Sequence, residues 1–197
     1  MEGSILPRGR RVNSSGEKSK KLLLDIATEL FSKYGYHKTK ISDIVKAANL
    51  TQPTFYLYFE NKESLYRDLI LQFKNSFLEN LDRLKEEAKG GNLIDLLHRH
   101  LTVLFQYFAS NPYLTKIGFY QAEESEELKA KFSKVLEELL AERIEFSEHD
   151  PRIFAHSLVG AIERVTLMLL FTKEKEPEQL ASEIINVYFP KTAVCKS

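Results

Sequence analysis

The side chains best suited to chemistry stand between Thr51 and Lys62. Gln52 can bond an adenine edge with both ends of its amide, and the Pro53 ring or the Thr54 methyl can pack on a thymine methyl. Thr51, Tyr56 and Tyr58 bring hydroxyls and Lys62 an ammonium, the donors that hold phosphate oxygens. Asn61 reads as a helix cap, which puts Lys62 in a first turn whose free N–H groups also attract anions. A cation there opposes the helix dipole, so an anionic partner explains it better than a bare surface does. Phe55 and Phe59, in the same run, read as core.

Other chemistry finds little support. His98 and His100 are two residues apart, so they point to different sides of a helix and make no metal pair. No His-Glu-x-x-His, Gly-x-Ser-x-Gly or phosphate-loop pattern occurs. Glu123-Glu124 and Glu126-Glu127 read as solvated faces. The one cysteine, Cys195, rules out a disulfide scaffold and a cysteine-based zinc site. The chain is expected to be no enzyme and to need no metal or cofactor.

The elements that position Thr51 to Lys62 read as helices. Leu22, Leu23, Ile26, Ala27, Leu30, Phe31 and Tyr34 recur at threes and fours in a helix from Glu17. Gly35 stands where such a helix stops in the left-handed region. Ile41, Ile44, Val45 and Ala48 repeat the period, with Thr39 or Lys40 at the cap and Asn49, which tolerates positive φ, at the stop. Thr51 reads as the N-cap of a third helix over about Gln52 to Tyr58, with Pro53 in its first turn. The second and third helices are separated by about three residues, which is helix-turn-helix spacing. The second helix of such a pair can present its N-terminal residues to the major groove.

The stretch Ala27-x-x-Leu30-Phe31-x-x-x-Gly35-Tyr36-x-x-Thr39, then Ile41-x-Asp43-Ile44, then Leu50-Thr51-x-x-Thr54-Phe55-Tyr56-x-Tyr58-Phe59-x-Asn61-Lys62-Glu63-x-Leu65, resembles the DNA-binding domain of the tetracycline-repressor (TetR) family of bacterial regulators. It spans about 45 residues, and its strongest part is Phe-Tyr-x-Tyr-Phe-x-Asn-Lys-Glu. Members usually carry Gly where Asn49 stands, and often Gly or a small residue where Pro53 stands. The resemblance implies double-stranded operator DNA as partner, with contacts from Thr39, Ser42, Thr51, Gln52, Pro53, Thr54, Tyr56, Tyr58 and Lys62. It also implies a homodimer built from the last two long helices, and a small-molecule effector enclosed by the middle ones.

The rest of the chain fits an all-α reading. It has 197 residues, 43% hydrophobic and 28% charged, with only 8 Gly and 6 Pro, close to the globular norm. Formal net charge is zero, but it is unevenly spread. Residues 1–65 hold 11 Lys/Arg against 7 Asp/Glu, giving +4, and residues 66–197 hold 17 against 21, giving −4. A basic front on an acidic body suits a nucleic-acid-facing module. Residues 1–16 read as a disordered basic arm, whose Arg8, Arg10 and Arg11 either track a minor groove or, the favoured reading, stay idle. Residues 17–61 read as the DNA-binding domain, 62–190 as an effector and dimerisation domain, and 191–197 as a tail.

In that second domain, helices are expected over Lys62 to Ala88, Leu93 to Ser110, Glu126 to Phe146, Arg152 to Thr172, and from Pro177 to Pro190. The pocket candidates are His98, Leu101, Phe105, Gln106, Tyr120, Gln121, Glu163 and Leu167, and apolar richness favours a lipophilic or acyl-type effector. The longest apolar run, Val165 to Phe171, is far short of the roughly 18 residues of a spanning helix. No signal peptide is read, so a cytoplasmic protein with no membrane partner is expected. The competing expectation is a helical interaction module that has lost specific DNA binding.

Overall fold

The computed structural model describes residues 13–89, 91–143 and 150–190, and every element among them is helical. The chain divides into two compact units, Met1–Leu69 and Ile70–Ser197.

The first unit holds α1 (Asn13–Tyr34), α2 (Ile41–Ala47), α3 (Gln52–Tyr56) and the opening turns of α4 (Lys62–Glu87). Its core is Leu23, Ala27 and Phe31 of α1, Ile44 and Val45 of α2, Phe55 of α3, Phe59, and Leu65 and Leu69 of α4. Phe31, Tyr36 and Tyr66 add a triangle of rings with centroids 4.7 to 5.6 Å apart. The buried stripe of α1 is narrower than its periodicity suggested: Leu22 and Tyr34 are exposed. The helix also starts at Asn13, four residues before Glu17. Its first turn has no apolar stripe, so periodicity alone could not find it. The rest of the expected arm lies outside the described residues, as do the 191–197 tail and Cys195.

Local chemistry sets the boundaries. Gly35 at φ 85° ends α1 and Asn49 at φ 53° follows α2, both in the left-handed region. Four residues separate α2 from α3. Thr51 caps α3, its Oγ1 accepting from the Thr54 N–H at 3.4 Å. Asn61 caps α4, its Oδ1 accepting from the Ser64 N–H at 2.8 Å, while Ser64 Oγ accepts from the Asn61 N–H.

The second unit holds the remainder of α4, α5 (Leu93–Ser110), α6 (Pro112–Thr115), α7 (Ser125–Ala141), α8 (Pro151–Val165) and α9 (Pro177–Tyr188). α5 packs on α9, and α7 on α8. Phe73, Phe77, Phe108, Phe119 and Phe132 form the aromatic centre. Gly118 is required there, because a Cβ on it would stand 2.3 Å from the Phe73 ring.

Two widened, π-helical segments interrupt the regular helices, Lys116–Gln121 and Thr166–Leu170. The second corrects the expectation of one α-helix to Thr172. Thr166 Oγ1 donates back to the Ile162 carbonyl at 2.7 Å, and the Phe171 N–H reaches five residues back to Thr166. α7 ends at Ala141, short of Phe146. No Gly, Asn or Pro marks that stop in the sequence, and residues 144–149 lie outside the described residues.

The helical stretch Pro151–Leu170 is 20 residues long and apolar enough to cross a membrane by length and composition. That corrects the reading made from uninterrupted apolar runs, which stopped at Glu163 and Arg164. The stretch is nonetheless built as a packed bundle helix. Ala155, Leu158, Val159 and Ile162 are buried, and the Glu163 carboxylate meets the Lys129 ammonium of α7 at 2.7 Å.

Candidate nucleic-acid interface and effector region

Phe55, fully buried, pins α3 to the first unit. The same helix therefore turns its other residues outward: Thr51, Gln52, Pro53 and Tyr56 are exposed and Thr54 is half-buried. The Thr51 and Thr54 hydroxyls are 2.9 Å apart, which steadies the first turn. The Tyr56 ring is 54% exposed and rests edge-on against Phe55 at 5.5 Å, so its hydroxyl end is directed by a fixed ring. Leu57, just beyond, is 76% exposed. Ser42 is exposed in the first turn of α2. Tyr58 is half-buried, and its hydroxyl lies beside Gly16 of α1. Exposed lysines 18, 20, 21, 38, 40 and 46 make the surface of this unit basic.

Two of the expected contacts turn out to have structural employment. The Thr39 side chain is buried and donates to the Gly35 carbonyl at 3.0 Å and towards Leu30 at 3.4 Å. This corrects its placement among outward DNA-facing side chains: its hydroxyl is spent on the turn between α1 and α2. Lys62 donates to the carbonyls of Tyr36 at 2.7 Å and Thr39 at 2.9 Å, with its ammonium 4.2 Å from the Tyr36 ring centroid. Partial burial pulls its pKa below the ordinary lysine value. Two of its three N–H donors are thus committed, and one remains for an anion.

Among the described residues, no one cavity takes in all eight expected pocket residues. Tyr120 and Glu163 do come together: the Tyr120 hydroxyl donates to the Glu163 main-chain carbonyl at 2.8 Å. Burial holds the Tyr120 phenol far above its usual pKa. His98 instead faces α9, its Nε2 2.8 Å from Ser182 Oγ, in an open cleft of about 550 Å³ that also reaches Asp95, Asn186 and Phe189. Leu101 lines a separate, small cavity among α4, α5, α7 and α8. Phe105 is wholly buried, Leu167 half-buried, and Gln106 and Gln121 are exposed. Periodicity assigns these residues to helices but does not say which helix each one meets.

Two buried polar residues in this unit were not among the expected site residues. Lys129 is buried, bonded to Glu126 at 2.8 Å and Glu163 at 2.7 Å, with the Phe119 and Tyr120 rings beside it. Burial acts to lower its pKa, but the two carboxylates outweigh that and raise it. His100 is buried with Nε2 3.3 Å from the Glu87 carboxylate, while its Nδ1 has no hydrogen-bond partner. The signal for both was present. Lys129 shares an apolar stripe with Phe132 and Leu136, and His100 shares one with Leu97 and Leu104. No His/Cys/Asp/Glu cluster among the described residues could hold a metal ion.

A basic helical unit that buries one side of a short helix and presents Gln52, Pro53, Thr54 and Tyr56 on the other defines a helix-turn-helix protein. The model of the bacterial regulatory proteins of the tetR family matches residues 23–69. The HTH-type transcriptional regulator YdgC of Bacillus subtilis (strain 168) is 38% identical over 183 residues, covering 89% of this chain and 93% of that one. A TetR-family transcriptional regulator from Bordetella parapertussis 12822 has the same fold, with a TM-score of 0.73 at 17% identity over 92% of this chain and 99% of that one. The regulator FadR from Bacillus subtilis, solved in complex with stearoyl-CoA, aligns at a TM-score of 0.62 and 22% identity over 85% of this chain and 96% of that one. The chain belongs to the tetR family of bacterial regulatory proteins. It is a transcriptional regulator, and its relatives are regulators rather than enzymes.

Proposed function

We propose that this regulator binds a palindromic operator as a homodimer and acts as a repressor released by a small lipophilic effector. The observation that carries the reading is the division of α3, with Phe55 locked in the core and Gln52, Pro53, Thr54 and Tyr56 facing outward. Gln52 would read an adenine, Pro53 and Thr54 a thymine methyl. Thr51, Tyr56, Tyr58, Ser42 and the remaining donor of Lys62 would hold phosphates.

A homodimer is supported by α8 and α9. Ile153 and Val187 are 71% and 75% exposed, and Met168 beyond α8 is also exposed. Gly160 of α8 is exposed with nothing within 4 Å of where a Cβ would stand. An apolar helix surface with a glycine in it suits close approach by a second helix. Two recognition helices related by a two-fold axis would meet half-sites about 34 Å apart.

Release would run through α4. Lys62 at its start grips the carbonyls of Tyr36 and Thr39, and Leu84 near its end lines the cavity with Leu101. An effector that prefers a shifted α4 would draw on the turn that enters α2. It can move the equilibrium only by its differential affinity for the two states.

The test is selection of bound fragments from random DNA with the purified chain, at two salt concentrations. A palindrome with two half-sites is expected to emerge, with affinity falling as salt rises. Salt-sensitive binding with no enriched sequence would overturn the reading in favour of an interaction module.

A further inference from the structure

The cavity that Leu101 lines has an almost wholly apolar wall. Leu84 of α4, Leu97 and Leu104 of α5, Phe132 of α7 and Leu158 of α8 surround it. Two polar residues break that wall, Asn80 and His100. His100 is more than nine-tenths buried, and its Nδ1 is buried with no hydrogen-bond partner. A polar atom left unpaired in such a place destabilises the fold unless something meets it.

The other ring nitrogen says what that something is. Nε2 stands 3.3 Å from the Glu87 carboxylate, whose pKa is lowered chiefly by this hydrogen bond. An ionised carboxylate only accepts, so the proton belongs on Nε2. In the neutral ring Nδ1 is then a bare acceptor. The missing group must therefore be a donor.

We propose that His100 Nδ1 is the polar anchor of the effector site, and that the effector is an apolar molecule bearing a hydroxyl donor, an aliphatic alcohol or a phenol. The assignment rests on the reading of this unit as effector-binding. The cavity is about 10 Å³, the room of a single hydroxyl or water, so the apolar skeleton enters by displacing leucine side chains. Leu84 belongs to α4, so that displacement falls on the helix that carries Lys62. A thioester carbonyl or an ionised carboxylate brings no donor and is disfavoured at this nitrogen. The site thus separates hydroxylated from acylated lipophiles.

The experiment uses the full chain with octanol and octyl methyl ether, which match in apolar length and differ in the donor. Calorimetric titration is expected to show octanol bound about tenfold more tightly than the ether. His100→Phe should abolish that preference, His100→Gln, which keeps an acceptor, should retain part of it, and Leu158→Phe should weaken both ligands by filling the cavity while leaving His100 in place. Equal binding of the two ligands, binding of neither, or a preference that survives His100→Phe overturns the proposal. Operator affinity of the unliganded chain separates this from the reading beneath it. Intact affinity without an octanol preference removes the His100 assignment alone. A His100-dependent preference without operator affinity removes the repressor reading and keeps the site.

Discussion

Lys62 carries two duties. Its ammonium closes the turn between α1 and α2 by bonding the carbonyls of Tyr36 and Thr39, and it stands at the start of a helix where a phosphate is also welcome. Tyr56 has no such second duty, since its ring is 54% exposed and touches the core only at its edge. The two residues should therefore fail differently. Lys62→Ala is expected to lower both DNA affinity and the stability of the chain, the latter by about 1 kcal/mol as two carbonyls lose a charged donor to water. Tyr56→Ala is expected to weaken binding to all sequences with its salt dependence and the melting temperature unchanged, since a neutral hydroxyl releases no counterion, whereas Lys62→Ala should also flatten the salt dependence. Melting curves and salt titrations on the two variants check this, and equal stability losses would contradict it. Tyr56 and Gln52 could be read from the sequence because their motif is local. The employment of Thr39 could not, because it depends on where the end of α1 returns a carbonyl.

At the scale of elements, capping chemistry carried most of the information. Thr51, Asn61 and Pro177 mark the starts of α3, α4 and α9 in the sequence and in the structure alike, since a cap or a first-turn proline acts within a few residues. Asn49 follows the same logic at φ 53°. The π-helical segments were invisible, the first because what holds it is long-range and the second because Thr166 bonding back to Ile162 leaves no mark in the apolar period. Tyr120 in the first reaches the Glu163 carbonyl of α8, and buried Thr166 opens the second. The first segment also depends on Gly118, where any Cβ meets the Phe73 side chain between 2.3 and 2.8 Å away. Phe73 is itself fully buried and stacked against Phe77 and Phe108, so it cannot step aside. Gly118→Ala is expected to destabilise the chain by about 1–3 kcal/mol through overpacking, read as a melting temperature several degrees lower. An unchanged melting temperature would contradict that packing.

The whole molecule is a basic reader joined to an acidic helical unit, with α4 running from one into the other. All-α class and a helix-turn-helix near the front were legible from periodicity and spacing. Which of the effector-region candidates share a cavity was not, because periodicity places a residue on its own helix, whereas a cavity is made by faces of several. His98 faces α9, Leu101 lines the small cavity and Tyr120 bonds to Glu163. The apolar exposure of Ile153 on α8 and Val187 on α9 supports the proposed dimer. A two-fold dimer would make every base contact occur twice. The central claim, that α3 of each of two protomers reads one half of an operator, is tested most directly by repeating the random-DNA selection with Gln52→Ala. The account predicts that the palindrome persists but loses its base preference at one position in each half-site, symmetrically about the dyad, at a cost of about 1–3 kcal/mol for each such contact. An unchanged consensus would contradict it, and so would a loss confined to one side.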